Sequence, residues 1–345
     1  MHERNDSGQR SRGFSDSELT ALERGAMVPL TFSGTVIARF EHAVNIVVTG
    51  ESLIMALVTR REAMSARTLL LPALPHELRT GTTVSAWDGR ARVGGHPWWR
   101  SAELTAVSGG EIDFAGAPWY YGHLPAAPVT PRRSAQMGES SPVPPPPALI
   151  AAMFEMVREH GRDGGLLGLL DRRRGNVFST FAARLLSVED KRRATTEYEK
   201  LVGLGGGLTP AGDDFLTGML AAEEIGGAAL IDRDAVSRRL TQTESTTVVG
   251  ATMLRLALAG MFPAYLTAVG AQLTAMPAAA PGAERSGGGA TVTRGAVTRA
   301  TVTRGFRSTV LRALEYGHSS GTDALVGLLW GLHRARVAPF GPVPV

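Results

Sequence analysis

The chain has 345 residues, 43% of them hydrophobic and 20% charged, with a formal net charge of +4. It contains no cysteine, which excludes disulfides, thiolate catalysis and cysteine-based zinc sites. The positive charge is local: residues 284–307 hold five arginines against the single acid Glu284, so the rest of the chain is near neutral and no nucleic-acid partner is expected.

Residues 1–26 are polar and charged, without the apolar stretch of a signal peptide. They read as a disordered tail on a cytoplasmic protein. Residues 27–123 read as a β-rich domain, a small barrel or sandwich. Leu30 to Phe40, Ala43 to Val48 and Leu53 to Val58 are rich in β-branched residues, and Asp88-Gly89 is a hairpin signal between residues 84–87 and 90–93. Trp98, Trp99, Trp119, Tyr120 and Tyr121 crowd the end of this region, flanked by His96 and His123, and are read as core or domain-interface packing. Residues 124–147 form a linker ending in Pro144-Pro145-Pro146-Pro147, which is stiff and extended.

Residues 148–345 read as an α-helical domain. Helical patterns run over 149–158, 166–170, 178–186 and 188–201, then over 213–225 and 323–335. Between the last two lies Thr246 to Leu273, whose only charged residue is Arg255. The run is long enough to span a membrane, but Arg255, Pro263 and several glycines favour a buried helix pair, so no membrane is expected. Arg255 then projects to a site or pairs with an acid, because an unpaired buried charge is costly. Residues from about 276 to 306, with Val-Thr-Arg three times, read as a disordered insertion.

The most informative feature is a repeated pattern. Gly212-Asp213-Asp214-Phe215-Leu216-Thr217-Gly218-Met219-Leu220 matches Gly321-Thr322-Asp323-Ala324-Leu325-Val326-Gly327-Leu328-Leu329 as G-x-D-x-L-x-G-x-L. Each copy follows a loop of glycine and hydroxyl residues: Gly203 to Pro210 in one, Gly317-His318-Ser319-Ser320 in the other. Gly205, Gly206 and Gly207 let the backbone approach a ligand closely. The free N–H groups and dipole of a following helix attract phosphate or carboxylate. The adjacent carboxylates oppose that, and a hard cation such as Mg2+ would bridge them to an anion. Two such loops predict one site built from two related halves facing each other.

The first loop and helix, Gly203-Leu204-Gly205-Gly206-Gly207-Leu208-Thr209-Pro210-Ala211-Gly212-Asp213-Asp214-Phe215-Leu216, resembles the signature G-L-G-P-G-L-T-P-S-G-D-D-F-L of the AllH-like family. Gly317-His318-Ser319-Ser320-Gly321-Thr322-Asp323 resembles its second motif, G-H-T-S-G-x-D, and Thr246-Thr247 before an apolar helix fits its middle section. The resemblance runs from about Gly34 to the C-terminus. It departs at Gly206, where the family has Pro, at Ala211, where it has Ser, and at Gly250, where Ser is common. It implies a subunit of an oxamate carbamoyltransferase, working with other carbamoyltransferase subunits in allantoin and purine catabolism. Its substrates would be oxalurate, oxamate and carbamoyl phosphate.

These readings combine into an α+β protein: a β-rich N-terminal domain and an α-helical domain carrying two pseudo-repeated glycine-rich loop–helix motifs. Gly205, Gly206, Gly207, Thr209, Gly212, Asp213, Ser319, Ser320 and Gly321 are the candidate substrate and phosphate ligands. His318, Asp214 and Asp323 are the candidate catalytic groups, with His318 a general acid or base near neutral pH. Asp213, Asp214 and Asp323 are also the candidate ligands of a divalent metal, which would make the chain a metal-dependent hydrolase or transferase instead. A third reading is a non-catalytic partner of the other subunits.

Overall fold

The computed structural model describes residues 19–93, 111–124, 144–186, 197–275 and 303–335. The tail before residue 19, Trp98 and Trp99, His96, residues 125–143, 187–196 and the Val-Thr-Arg insertion over 276–302 lie outside them. Of the expected 1–26 tail, the last part is ordered: Leu19–Thr20 and Glu23–Gly25 are strands β1 and β2. Their polar sequence gives no strand signal, because pairing with neighbours, not an apolar alternation, fixes them.

The remaining strands are β3 (Phe32–Arg39), β4 (Ala43–Val48), β5 (Ile54–Val58), β6 (Thr68–Leu70), β7 (Thr83–Trp87), β8 (Arg90–Val93), β9 (Glu111–Asp113) and β10 (Trp119–Tyr120). They form one ten-stranded sheet in the order β1-β9-β8-β7-β3-β4-β5-β6-β2-β10. Most pairs are antiparallel; β1/β9, β5/β6 and β2/β10 are parallel. Strands β1 and β2 lie toward opposite ends of this order, yet only Ala21 and Leu22 separate them. A connection that short spans roughly 10 Å at most. The sheet therefore curls until its ends meet, as a partial barrel. Ala21 donates to the Asp113 carbonyl at 2.7 Å and Leu22 to that of Leu70 at 2.7 Å, which ties the ends together. Val36, Ile46, Met55, Leu57, Leu69, Val84, Ile112 and Phe114 fill the inside. The expected hairpin is present, with Asp88 (φ 49°) and Gly89 (φ 80°) turning β7 into β8.

The helices are α1 (Pro147–His160), α2 (Val177–Leu186), α3 (Ala211–Gly226), α4 (Arg233–Leu240), α5 (Val248–Leu258), α6 (Ala264–Ala275), α7 (Arg304–Leu314) and α8 (Ser320–Arg334). The architecture is thus α+β, strands first and helices after. Pro147 is the first residue of α1, where its missing N–H costs nothing. The apolar run 246–273 forms α5 and α6, and among the described residues no helix is long and apolar enough to cross a membrane.

Helices α3 and α8 form the centre of the helical core. Their crossing is set by glycine. A Cβ on Gly218 would stand 1.9 Å from the Ala324 carbonyl oxygen, and one on Gly327 would stand 2.0 Å from that of Phe215. Each helix thus places its glycine against the backbone of the other, and the two axes approach closely enough to bring their N-termini together.

The sheet and the helices are joined mainly through α5 and the start of α6. The Ile54 amide donates to Thr252 Oγ1 at 3.1 Å. Tyr120 donates its hydroxyl to the Phe262 carbonyl at 2.9 Å, and the Phe262 amide donates to the Gly122 carbonyl at 2.7 Å. Among the described residues, Arg255 reaches no acid. Its guanidinium donates to the carbonyls of Ser52 and Leu240, both at 3.2 Å, clamping the β4–β5 turn to α5. Carbonyl oxygens satisfy the cation here without an ion pair. His123 has a structural contact too, Nδ1 lying 3.1 Å from the Gly260 carbonyl oxygen.

Candidate functional site

The first glycine-rich loop turns on three positive-φ residues, Gly203 (78°), Gly205 (114°) and Gly207 (91°). Gly205 has a second reason to be glycine, since a Cβ would stand 2.8 Å from the Ala211 amide nitrogen. Gly206 does not take positive φ and has open space around it. The loop ends at Pro210, whose carbonyl accepts from the Asp213 and Asp214 amides and starts α3. Among the described residues, the N–H groups of 205–209 donate to no acceptor in the protein. Gly206, Gly207 and Leu208 are exposed, and Gly205 and Thr209 are half-buried.

Asp213 and Asp214 sit in the first turn of α3, and both are buried. Their environments differ. Asp213 is committed to the fold: Oδ1 accepts from the Gly203 amide at 2.8 Å, and Oδ2 accepts from the Thr246 hydroxyl. Burial raises its pKa to about 6 against the pull of those two bonds. Thr247 caps α5 by accepting from the Gly250 amide at 2.9 Å and donates to the Leu208 carbonyl. The Thr246-Thr247 pair therefore holds the first loop at both ends.

Asp214 points toward the second motif. Burial, then the charge of Asp323, raises its pKa well above the usual carboxylate range, opposed by hydrogen bonds from Ser320 and Thr209. Thr209 and Ser320 also bond each other, their hydroxyl oxygens 2.7 Å apart across 111 residues of sequence. Asp323, 0% exposed at the start of α8, accepts from the Leu166 amide at 2.5 Å through Oδ1. Burial raises it to about 7, opposed by the Leu166 amide and the Ser319 hydroxyl. Burial and the like charge of a second carboxyl both favour the protonated form of this pair.

Six of the residues singled out in the sequence are therefore brought together. Thr209, Asp214, Ser319, Ser320 and Asp323 share one buried polar cluster, with Asp213 beside it. Gly212 and Gly321 serve packing: a Cβ on either would stand within 2 Å of a backbone carbonyl oxygen, Leu201 for the first and Ala313 for the second. His318 is exposed, on the rim beside Gly164, where a Cβ would lie 3.9 Å from its Nε2. Among the described residues no group of three or more His, Cys, Asp or Glu is arranged to hold a metal ion.

Three participants carry little sequence signal. The loop Gly161-Arg162-Asp163-Gly164-Gly165 wraps the second motif. The Arg162 amide donates to Thr322 Oγ1 at 2.9 Å, its guanidinium donates to the Gly317 carbonyl at 3.0 Å, and a Cβ on Gly165 would stand 2.1 Å from the Asp323 carboxylate. The glycines were a usable sign. Tyr265 and Tyr316, whose rings stack at 4.5 Å, were not, because one lies in an apolar helix and the other before a loop. Burial, then the charge of Asp214, raises both hydroxyls, Tyr316 to about 12. Both tyrosines thus belong to the cluster.

Neither a search of curated proteins nor one of solved structures finds a match to the chain. Residues 201–286, which contain the first loop, α3, the Thr246-Thr247 pair, α5 and α6, match the family model described as oxamate carbamoyltransferase subunit AllH, and so bear out the resemblance carried by the first loop motif; the second motif lies outside the matched segment.

Proposed function

We propose that this chain is a subunit of a carbamoyltransferase of the oxamate type, with its active site where the two loops meet. The observation that carries the reading is the Thr209–Ser320 hydroxyl contact at 2.7 Å. It joins the part of the chain that matches the family to a second, similar loop outside the matched segment. The reciprocal glycine packing of α3 and α8 supports reading them as related halves.

In this reading the unpaired amides of 205–209 hold a phosphate, as free N–H groups ahead of a helix do. A phosphate oxygen attacks the terminal carbamoyl carbon of oxalurate. The bond from that carbon to the oxamate nitrogen breaks, and the nitrogen takes up a proton. The products are carbamoyl phosphate and oxamate, with the proton coming from the phosphate monoanion or dianion directly or through His318 at the rim. Thr209, Ser319 and Ser320 hydrogen-bond the substrate oxygens. Other subunits of the same enzyme are the expected protein partners.

The test is ligand-dependent thermal stability of the full chain with phosphate, carbamoyl phosphate, oxamate and oxalurate, each with Mg2+ and with EDTA. A ligand that binds only the folded state stabilises it by about 2.7 kcal/mol at a hundredfold excess over its dissociation constant. Shifts with these ligands that survive EDTA and disappear in Thr209→Val support the reading. A response that requires Mg2+ favours the metal-dependent alternative. Activity appearing only when other subunits are added favours a partner role.

A further inference from the structure

Three polar atoms in the cluster are buried and have no hydrogen-bond partner among the described residues: Asp214 Oδ2, Asp323 Oδ2 and the Tyr265 hydroxyl. Buried polar atoms are nearly always paired, and each one left alone carries a desolvation penalty. The side chains are 3%, 0% and 2% exposed, so none is satisfied by bulk water. They lie in one cluster: Tyr265 stacks at 4.5 Å on Tyr316, which precedes the second loop, and Ser320 of that loop meets Thr209 of the first at 2.7 Å. The charges of both aspartates act on the Tyr265 hydroxyl, and that of Asp323 acts on Asp214. The tyrosine is held in place by its stack on Tyr316, whose carbonyl accepts from the Gly321 amide at 3.0 Å at the start of α8. The groups around this spot are thus two carboxyls, two phenols, and the Thr209 and Ser320 hydroxyls.

The geometry points to a subsite for an uncharged carbamoyl or primary carboxamide group, read by Tyr265 together with the free oxygens of Asp214 and Asp323. The inference rests on the carbamoyltransfer reading above and assigns residues within it. A phenol is a hydrogen-bond donor, and an unprotonated carboxyl oxygen is an acceptor. The trio therefore offers both kinds, whichever carboxyl holds the proton. A –CO–NH2 group carries the complement: a carbonyl oxygen for the Tyr265 hydroxyl, and N–H groups for whichever carboxyl oxygen is unprotonated. An anion would face two carboxyls in low dielectric and is better served by the amides of 205–209. The site is thereby divided, with the charged end of a ligand at the exposed glycine loop and the neutral end against the buried trio.

The discriminating probes are oxalurate and N-acetyloxamate, in which a methyl replaces the terminal –NH2. Binding to the full chain is measured by calorimetry. Wild type should prefer oxalurate by about tenfold or more, since the methyl leaves buried acceptors unpaired. Asp323→Asn should shrink that preference. Tyr265→Phe should weaken both probes by a similar factor, because both keep the carbonyl, and should leave binding of inorganic phosphate unchanged. Wild type that binds oxalurate but shows no preference over the methyl analogue overturns this assignment while the carbamoyltransferase reading stands. Wild type that binds neither oxalurate nor phosphate overturns both. A ligand-free measurement covers the structural role. If the hydroxyl is reserved for a ligand, Tyr265→Phe keeps or raises the thermal midpoint. A midpoint lowered by several degrees shows that the hydroxyl is a structural partner and overturns the proposal.

Discussion

Gly218 lies so close to the backbone of Ala324 that no side chain fits between them, a Cβ meeting that carbonyl oxygen at 1.9 Å and the Leu328 amide nitrogen at 2.7 Å. Gly327 stands in the same relation to Phe215. In a helix interior, glycine costs about 1 kcal/mol relative to alanine. Two such glycines facing each other's backbones are explained by the crossing they permit. That crossing is also what places Asp214 near Asp323 and Thr209 near Ser320.

Gly218→Ala and Gly327→Ala are therefore expected to destabilise, although each raises helix propensity. Neighbouring backbone cannot move aside as a flexible side chain does, and overpacking of this kind costs about 1–3 kcal/mol. The double variant should lose less than the sum, because one shift of the helices accommodates both methyls. Urea denaturation of the four proteins checks this. Stabilisation by either alanine would contradict the packing described.

Gly250 gives a second, more local prediction. A Cβ there would stand 2.2 Å from Asp213 Oδ2 and 2.8 Å from Thr246 Oγ1. The family commonly has serine at this position, so Gly250→Ser tests whether this chain has a tighter version of the site. We expect a loss of about 1–3 kcal/mol, together with weaker phosphate binding as the first loop loses its Thr246–Asp213 anchor. Wild-type stability in this variant would show that the loop yields at no cost.

How much of this was legible in the sequence follows from the kind of signal each feature leaves. The hairpin at Asp88-Gly89 and the helices at 213 and 323 announce themselves through turn chemistry and periodicity, and they appear where expected. Strands β1 and β2 do not, because two or three polar residues pair only when β9, β6 and β10 are already in place. The convergence of the two loops was inferred from their likeness, and the Thr209–Ser320 contact has the expected placement. Tyr265 was invisible: nothing in an apolar helix marks which residue turns its hydroxyl toward carboxyls from two other helices. Arg255 shows the opposite case, a conspicuous charge whose guanidinium clamps a turn.

That clamp belongs to a joint with its own prediction. Helix α5 meets the first loop through Thr247 at its N-terminus and the sheet through Thr252 in its middle. Thr252→Val keeps the shape of the side chain but leaves the buried Ile54 amide without an acceptor, at a cost of about 1–3 kcal/mol. The damage should stay at the joint. Hydrogen exchange of the Ile54 amide should speed up strongly, while exchange in α8 should change only in line with global stability. Unchanged exchange at Ile54 would contradict the bond.

The pH dependence of stability tests the electrostatics of the cluster. Asp323 has a folded-state pKa near 7 against an ordinary 3.8, chiefly from burial. Between those values the folded state holds more protons than the unfolded state. Its contribution to stability therefore falls as pH rises from about 4 to about 7, the reverse of a salt-bridged carboxylate. Asp213 and Asp214, both raised, act in the same direction. Asp323→Asn removes one of these titrations and retains an oxygen for the Leu166 amide. Relative to wild type, the variant should gain stability steadily as pH rises through that window, and the two proteins should differ least near pH 4. Losing the like charge also eases ionisation of Asp214, which makes the gain larger still. Denaturation midpoints for both proteins at four or five pH values (roughly 4 to 8) decide the matter. A difference that stays flat, or that favours wild type at higher pH, would mean that Asp323 is ionised and paired in the folded protein, and the buried acceptor argued for above would not exist.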